Sequence, residues 1–156
     1  MIKRESTCCF TGHRTIPLSE VQIIEKSLEL LIVELVGQNI NCFICGGALG
    51  FDMLAAEAVL KLKNKYQHIQ LFLALPCKNQ SKGWSSKEKE AYEYIIESAD
   101  NVHYTSELYY RGCMHARNRY MVDNSAVCIC YKRKQTGGTA YTVEYAAKKG
   151  LKIIEI

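Results

Sequence analysis

Proline is scarce, with two in 156 residues, and no apolar run approaches the ~20 residues that a membrane-spanning helix needs. Nor is there a strong charge of one sign: the formal net charge is +4, and the only dense basic cluster is Lys132-Arg133-Lys134. Three familiar site signatures are also missing. The glycine-rich stretches lack GxGxxG spacing, none carries the Lys-Ser/Thr of a P-loop, and Cys42-Phe43-Ile44-Cys45 has no second pair to complete a zinc site, Cys113 with His115 being a poor substitute. Together these absences argue against a disordered or fibrous chain, a membrane span, a dinucleotide fingerprint, a P-loop ATPase and a structural metal. The short polar start, Met1 to Ser6, reads as neither a secretory signal nor an anchor, so the expected location is the cytoplasm.

What is present is a core. With 48% hydrophobic and 23% charged residues, the expectation is one packed domain over residues 1–156. Eight cysteines fall mostly inside apolar runs, Cys8, Cys9, Cys42, Cys45, Cys128 and Cys130 among them, and read as reduced, buried small hydrophobes.

Periodicity alternates between short β-like runs and longer amphipathic stretches. Strands are predicted at Thr7 to Thr11, Asn41 to Cys45, Ile69 to Leu75, Asn101 to Tyr104, Ala126 to Tyr131 and Lys152 to Glu155. Helices are predicted at Ser19 to Gly37, Phe51 to Lys65, Ser85 to Ala99, Arg111 to Asn124 and Thr139 to Lys149, the first capped by Ser19 and ended by Gly37. Strands as uniformly apolar as Val127-Cys128-Ile129-Cys130 are expected where helices cover both faces of a parallel sheet. The predicted fold is therefore α/β, a three-layer, doubly wound, Rossmann-like domain with a mainly parallel sheet of five to six strands. Right-handed crossovers send every strand's C-terminal end to one edge, where such folds bind ligands.

That edge is chemically unlike its opposite. It receives Gly12, His13 and Arg14 after the first strand, Gly46, Gly47 and Asp52 after the second, and Gln80 and Trp84 after the third. Tyr109 follows the fourth strand, and Gly137, Gly138 and Thr139 follow the fifth, with Arg117 and Glu144 on the flanking helices. The opposite connections, Lys63-Asn64-Lys65 and Lys148-Lys149-Gly150, are ordinary solvated turns. Paired glycines at a helix start let backbone N–H groups approach an anion, and the helix dipole favours negative charge there. Phosphate recognition is the expected chemistry.

Five motifs, in order along the chain, carry a resemblance. They are Phe10-Thr11-Gly12-His13-Arg14; Gly46-Gly47-Ala48-Leu49-Gly50-Phe51-Asp52; Leu75-Pro76-Cys77 with Gln80 and Trp84; Arg117 through Asp123; and Gly137-Gly138-Thr139-Ala140-Tyr141 through Glu144. Together they resemble the YpsA-like family of the superfamily that holds Smf/DprA and Lonely Guy proteins. That resemblance implies a Rossmann-like fold and a nucleotide or nucleotide-derived ligand, in a sensor or regulatory module with no required cofactor and no metal. Similarity to the Lonely Guy phosphoribohydrolases implies a further role, N-glycosidic cleavage of a nucleoside monophosphate with Arg117 and Glu144 as catalytic residues. The chain differs from that enzyme pattern in the basic turn Lys132 to Thr136 before Gly137 and in Asn118, where those enzymes carry lysine. The resemblance thus carries phosphate binding further than catalysis. The DprA branch implies single-stranded nucleic acid as a lower-ranked partner, drawn through Lys132, Arg133 and Lys134. No membrane partner is expected, and homo-oligomerisation through exposed helix faces is left open.

Overall fold

A computed structural model describes residues 2–156. Six strands form one sheet, in the order β4-β3-β2-β1-β5-β6. Their bounds are β1 Thr7–Gly12, β2 Cys42–Cys45, β3 Gln70–Leu75, β4 Asn101–Tyr104, β5 Val127–Tyr131 and β6 Lys152–Glu155. Between them run helices α1 Leu18–Gly37, α2 Phe51–Lys63, α3 Ser86–Ser98, α4 Cys113–Asp123 and α5 Gly138–Lys148. Every strand pairing is parallel. The expected "mainly parallel" sheet is thus wholly parallel, as it must be when a helix returns the chain after each strand.

Two apolar layers sandwich the sheet. Cys8 and Phe10 on β1, with Phe43 and Cys45 on β2, pack beneath Ile24, Leu28, Ile32 and Leu35 of α1 and the buried face of α2. The alternating residues Cys9, Cys42 and Ile44 face the other way, against Met121 and Val122 of α4 and Val143 and Ala146 of α5. Successive side chains on a strand point to opposite faces, and both faces here are covered, which accounts for the unbroken apolar runs. All eight cysteines are free and buried.

Local differences from the sequence expectation have local causes. Helix α1 begins one residue early, after Pro17, whose φ of −57° leads straight into the first turn, so Ser19 lies inside the helix and caps nothing. Helix α3 begins one residue later than expected because Ser85 serves as its cap, accepting a hydrogen bond from the Glu88 N–H at 3.2 Å. Among the described residues no helix is long and apolar enough to cross a membrane.

Strand order reverses at the β1/β5 pair: from β1 the chain winds outward through β2, β3 and β4, then returns to β5 on the other side. Loops leaving these two strands diverge over opposite faces and open a crevice. Register sets Gly12 beside Tyr131, so the His13-Arg14 turn and the basic loop after β5 are neighbours.

Candidate functional site at the switch point

The crevice is a cleft of about 280 Å³ whose walls come from four elements. Thr11, Gly12, His13 and Arg14 follow β1; Ala48 and Asp52 belong to the β2–α2 turn; Met114, Arg117, Asn118 and Met121 come from α4; Lys134 and Thr136 to Thr139 come from the β5–α5 loop and helix start.

Arg117 forms the floor. Its side chain is only 3% exposed, and its guanidinium donates to the backbone carbonyl of Gly46 and, at 3.5 Å, to that of Ala74, while Nε donates to Asn118 Oδ1 at 2.8 Å. Asp52, 6% exposed, is the buried carboxylate beside it and accepts from the Ala48 N–H at 3.2 Å. A Cβ built on Gly46 would lie 2.6 Å from Arg117 Nη1 and 2.7 Å from Asp52 Oδ2. Only glycine lets the two charged groups close over the strand end at this point. Burial pushes the Asp52 carboxyl up from its ordinary value, opposed by Arg117, the Ala48 N–H and Arg14. Burial likewise pushes the Arg117 guanidinium down, opposed by Asp52 and reinforced by Arg14.

At the opposite wall, α5 opens without a side-chain cap. Gly137, at φ 101°, leads into Gly138, whose added Cβ would meet nothing within 4 Å. Gly137, Gly138 and Thr139 line the cleft, so the helix starts at its wall with no side chain taking up its first N–H groups. Thr139 is buried beside them.

A latch holds the basic loop. The Arg133 N–H donates to His13 Nε2 at 2.7 Å, the Arg133 guanidinium sits 4.2 Å from the Tyr131 ring centroid and donates to the Ile156 carbonyl at 2.8 Å, and Glu20 pairs with it at 3.4 Å. Arg133 is thereby turned away from the cleft, and Lys134 lines it instead.

The structure gathers Gly12, His13, Arg14, Asp52, Arg117, Gly137, Gly138 and Thr139 around one cleft. Gly46 lies directly behind Arg117. Gly47, at φ 69°, packs toward Leu75 and Tyr92 rather than the opening. The remaining candidates lie elsewhere. Gln80 is buried on the far side of Gly47, donating to the Tyr92 hydroxyl at 3.0 Å, and Trp84 packs edge-on against Tyr92 at 5.1 Å. These two brace the β3–α3 loop. Tyr109 is 62% exposed outside the cleft. Glu144, expected as a catalytic carboxylate, points to solvent on α5, its side chain 69% exposed and paired with Lys148 at 3.2 Å. Helical phase explains the displacement: Thr139, Thr142, Val143 and Ala146 make up the buried face of α5, and Glu144 falls outside it.

Thr11, Asn118 and Thr136 line the cleft although sequence reasoning did not single them out as ligand residues, and Lys134, expected only as a nucleic-acid contact, lines it with them. The spacing of Met114, Arg117, Asn118 and Met121, one face of a helix, was the readable signal for Asn118.

Fold and cleft together define a Rossmann-like α/β protein whose polar site lies at the β1/β5 switch point. More narrowly, the chain belongs to the YspA SLOG family, whose model matches residues 8–153. A UPF0398 protein of Halalkalibacterium halodurans is 32% identical over 132 residues, 83% of this chain and 70% of its own length. Another, from Brevibacillus brevis, is 28% identical over 156 residues, covering 96% of this chain and 83% of the relative. Among solved structures, DNA processing protein A from Streptococcus pneumoniae superposes with a TM-score of 0.70 at 19% identity, over 99% of this chain and 50% of that one. The Helicobacter pylori protein of the same name, described for its single-stranded DNA binding mode, gives 0.67 at 18%, over 96% of this chain and 64% of that one. The chain spans about half the length of the pneumococcal protein, and at such identities the likeness establishes the fold.

Proposed function

We propose that this protein binds a nucleotide or nucleotide-derived phosphate ligand in the switch-point cleft and serves as a sensor or regulatory module. The observation that carries this reading is the uncapped, glycine-opened start of α5 facing a buried arginine across a cleft rich in cations. A phosphate placed there would accept from the first N–H groups of α5 and lie within the field of Arg117, Arg14 and Lys134. Arg117 has its carbonyl and amide partners already in place, so binding demands little reorganisation of that side chain.

The phosphoribohydrolase reading loses its carboxylate, because Glu144 is tied to Lys148 outside the cleft. Asp52 is the carboxylate that lines it, and it accepts from the Ala48 N–H with the Arg117 charge beside it. Single-stranded nucleic acid shares the phosphate chemistry and is a second reading, motivated by the fold shared with a DNA-binding protein; its lower rank follows from the withdrawal of Arg133 into the latch.

Isothermal titration calorimetry against nucleoside mono-, di- and triphosphates tests the leading reading. At least one is expected to bind, and Gly138→Glu, which puts a carboxylate at the helix start, is expected to weaken it by about tenfold or more. Binding left intact by Gly138→Glu would refute the placement. Free base released from a monophosphate and abolished by Glu144→Gln would revive the hydrolase.

A further inference from the structure

Asp52 is a buried carboxylate left short of hydrogen bonds where it meets the cleft. Its Oδ2 accepts from the Ala48 N–H at 3.2 Å, and its Oδ1 accepts from no group among the described residues. Asp52 also makes no direct ion pair among them, so Arg117 and Arg14 act on it only through their field. Burial outweighs these influences and pushes the carboxyl up from its ordinary value, the mark of a charge with too few partners. A carboxylate has about four lone-pair sites, and a buried polar atom without a partner calls for one. Oδ1 is not enclosed by protein: the one side-chain atom both enclosed and unpartnered among the described residues is Gln80 Oε1, on the far side of Gly47. Because Asp52 lines the switch-point cleft, its free oxygen opens there.

The surroundings narrow what completes it. A divalent cation or a ligand ammonium would enter a cleft where Arg14, Arg117 and Lys134 already face this single carboxylate, and like charges would oppose it. A phosphate oxygen would be repelled by the carboxylate itself. An uncharged donor remains, a hydroxyl or an amine. The paired N–H groups of a guanine edge need both carboxylate oxygens, and the Ala48 N–H already holds one. Size separates the other donors. At about 280 Å³ the cleft lies just below the roughly 300–1,000 Å³ that encloses a whole drug-sized ligand. With a phosphate at the start of α5, the space left is that of the group bonded directly to the phosphate. In a nucleotide that group is the sugar.

We propose that Asp52 reads the sugar of the ligand, its free Oδ1 accepting from the 2′,3′-diol of a ribose, and that the ligand class is therefore a ribonucleotide. The assignment rests on the phosphate-binding reading above and deepens it by naming the sugar. Single-stranded DNA has no 2′-hydroxyl and its internal 3′-oxygens are esterified, so it would leave Oδ1 without a partner.

Calorimetry with AMP, CMP, GMP, UMP and IMP against their 2′-deoxy and 3′-deoxy counterparts tests the assignment. For the monophosphates that bind, at least one deoxy counterpart is expected to bind about tenfold more weakly, since a hydroxyl donated to a charged acceptor is lost. Asp52→Asn should bring the ribo and deoxy forms within about threefold of each other, whereas a purely structural Asp52 would weaken both forms alike and leave their ratio intact. Equal affinity of the ribo and both deoxy forms for wild type, or a ratio that survives Asp52→Asn, would overturn the ribose assignment and leave the phosphate reading standing. So would a preference that follows the base amine, AMP over IMP and CMP over UMP, whatever the sugar. Absence of binding by every nucleotide would overturn both. Thermal melting establishes whether Asp52→Asn is folded, and if it is not, the wild-type comparison of ribo and deoxy forms decides.

Discussion

Arg117 is where structure and site meet at the scale of one residue. Removing it would leave the Asp52 carboxylate buried without its countercharge, a change that typically costs about 3–5 kcal/mol. Arg117→Ala is therefore expected to lower stability to urea by roughly that amount, and Arg117→Met combined with Asp52→Asn should recover a large part of it, because the double variant buries no unpaired charge. A double variant no more stable than Arg117→Ala would show that the two groups are not coupled. Gly46→Ala puts a methyl group between the same two side chains and is expected to cost about 1–3 kcal/mol by denaturation, the usual penalty of overpacking. At this scale the sequence was readable where backbone geometry demanded a residue type, as at Gly46, Gly137 and Gly138. The place of Glu144 outside the cleft was not readable, because helical phase depends on where α5 sits against the sheet.

The element that most shapes the cleft is the loop after β5. Its latch depends on a neutral His13, since Nε2 must accept from the Arg133 N–H. Burial, then the charges of Lys134 and Arg133, hold the His13 pKa below its ordinary 6.5. A group whose pKa is lower in the folded than in the unfolded state binds more protons when unfolded, so its contribution is present above pH 6.5 and is lost as pH falls from there through the folded value. Melting temperature is expected to fall more between pH 7.5 and pH 5.5 for wild type than for His13→Gln, which carries no titrating group. Equal falls would show that the latch does not sense pH. The latch was not readable in the sequence: His13 and Arg133 are 120 residues apart, and only the β1/β5 pairing makes them neighbours. Helix α1, by contrast, was legible almost to the residue, since Ile24, Leu28, Ile32 and Leu35 recur at helical spacing along one buried face.

For the whole molecule, the two-sided burial of the sheet makes a plain prediction about its thiols. All eight cysteines are buried, and burial pushes the Cys42 and Cys130 thiols up to about 11. Thiolate is the reactive form, so a disulfide reagent such as DTNB is expected to modify the native protein slowly and all eight cysteines promptly in guanidinium. Rapid native labelling of several thiols would show that the helical layers open far more often than a packed core allows.

The sequence by itself determined the α/β class, the order of strands and helices, the burial of the cysteines and the edge at which polar residues collect. Each of these follows from local periodicity, turn chemistry and the handedness of crossovers, which act over a few residues or one βα unit. Tertiary structure decided which edge residues share a cleft. Gln80 and Trp84 were drawn to Tyr92, Glu144 to solvent, and Asp52 and Lys134 toward Arg117. The physical reason is that strand order, β1 beside both β2 and β5, brings together loops distant in sequence, and the sequence pattern of each loop is indifferent to which neighbour it receives.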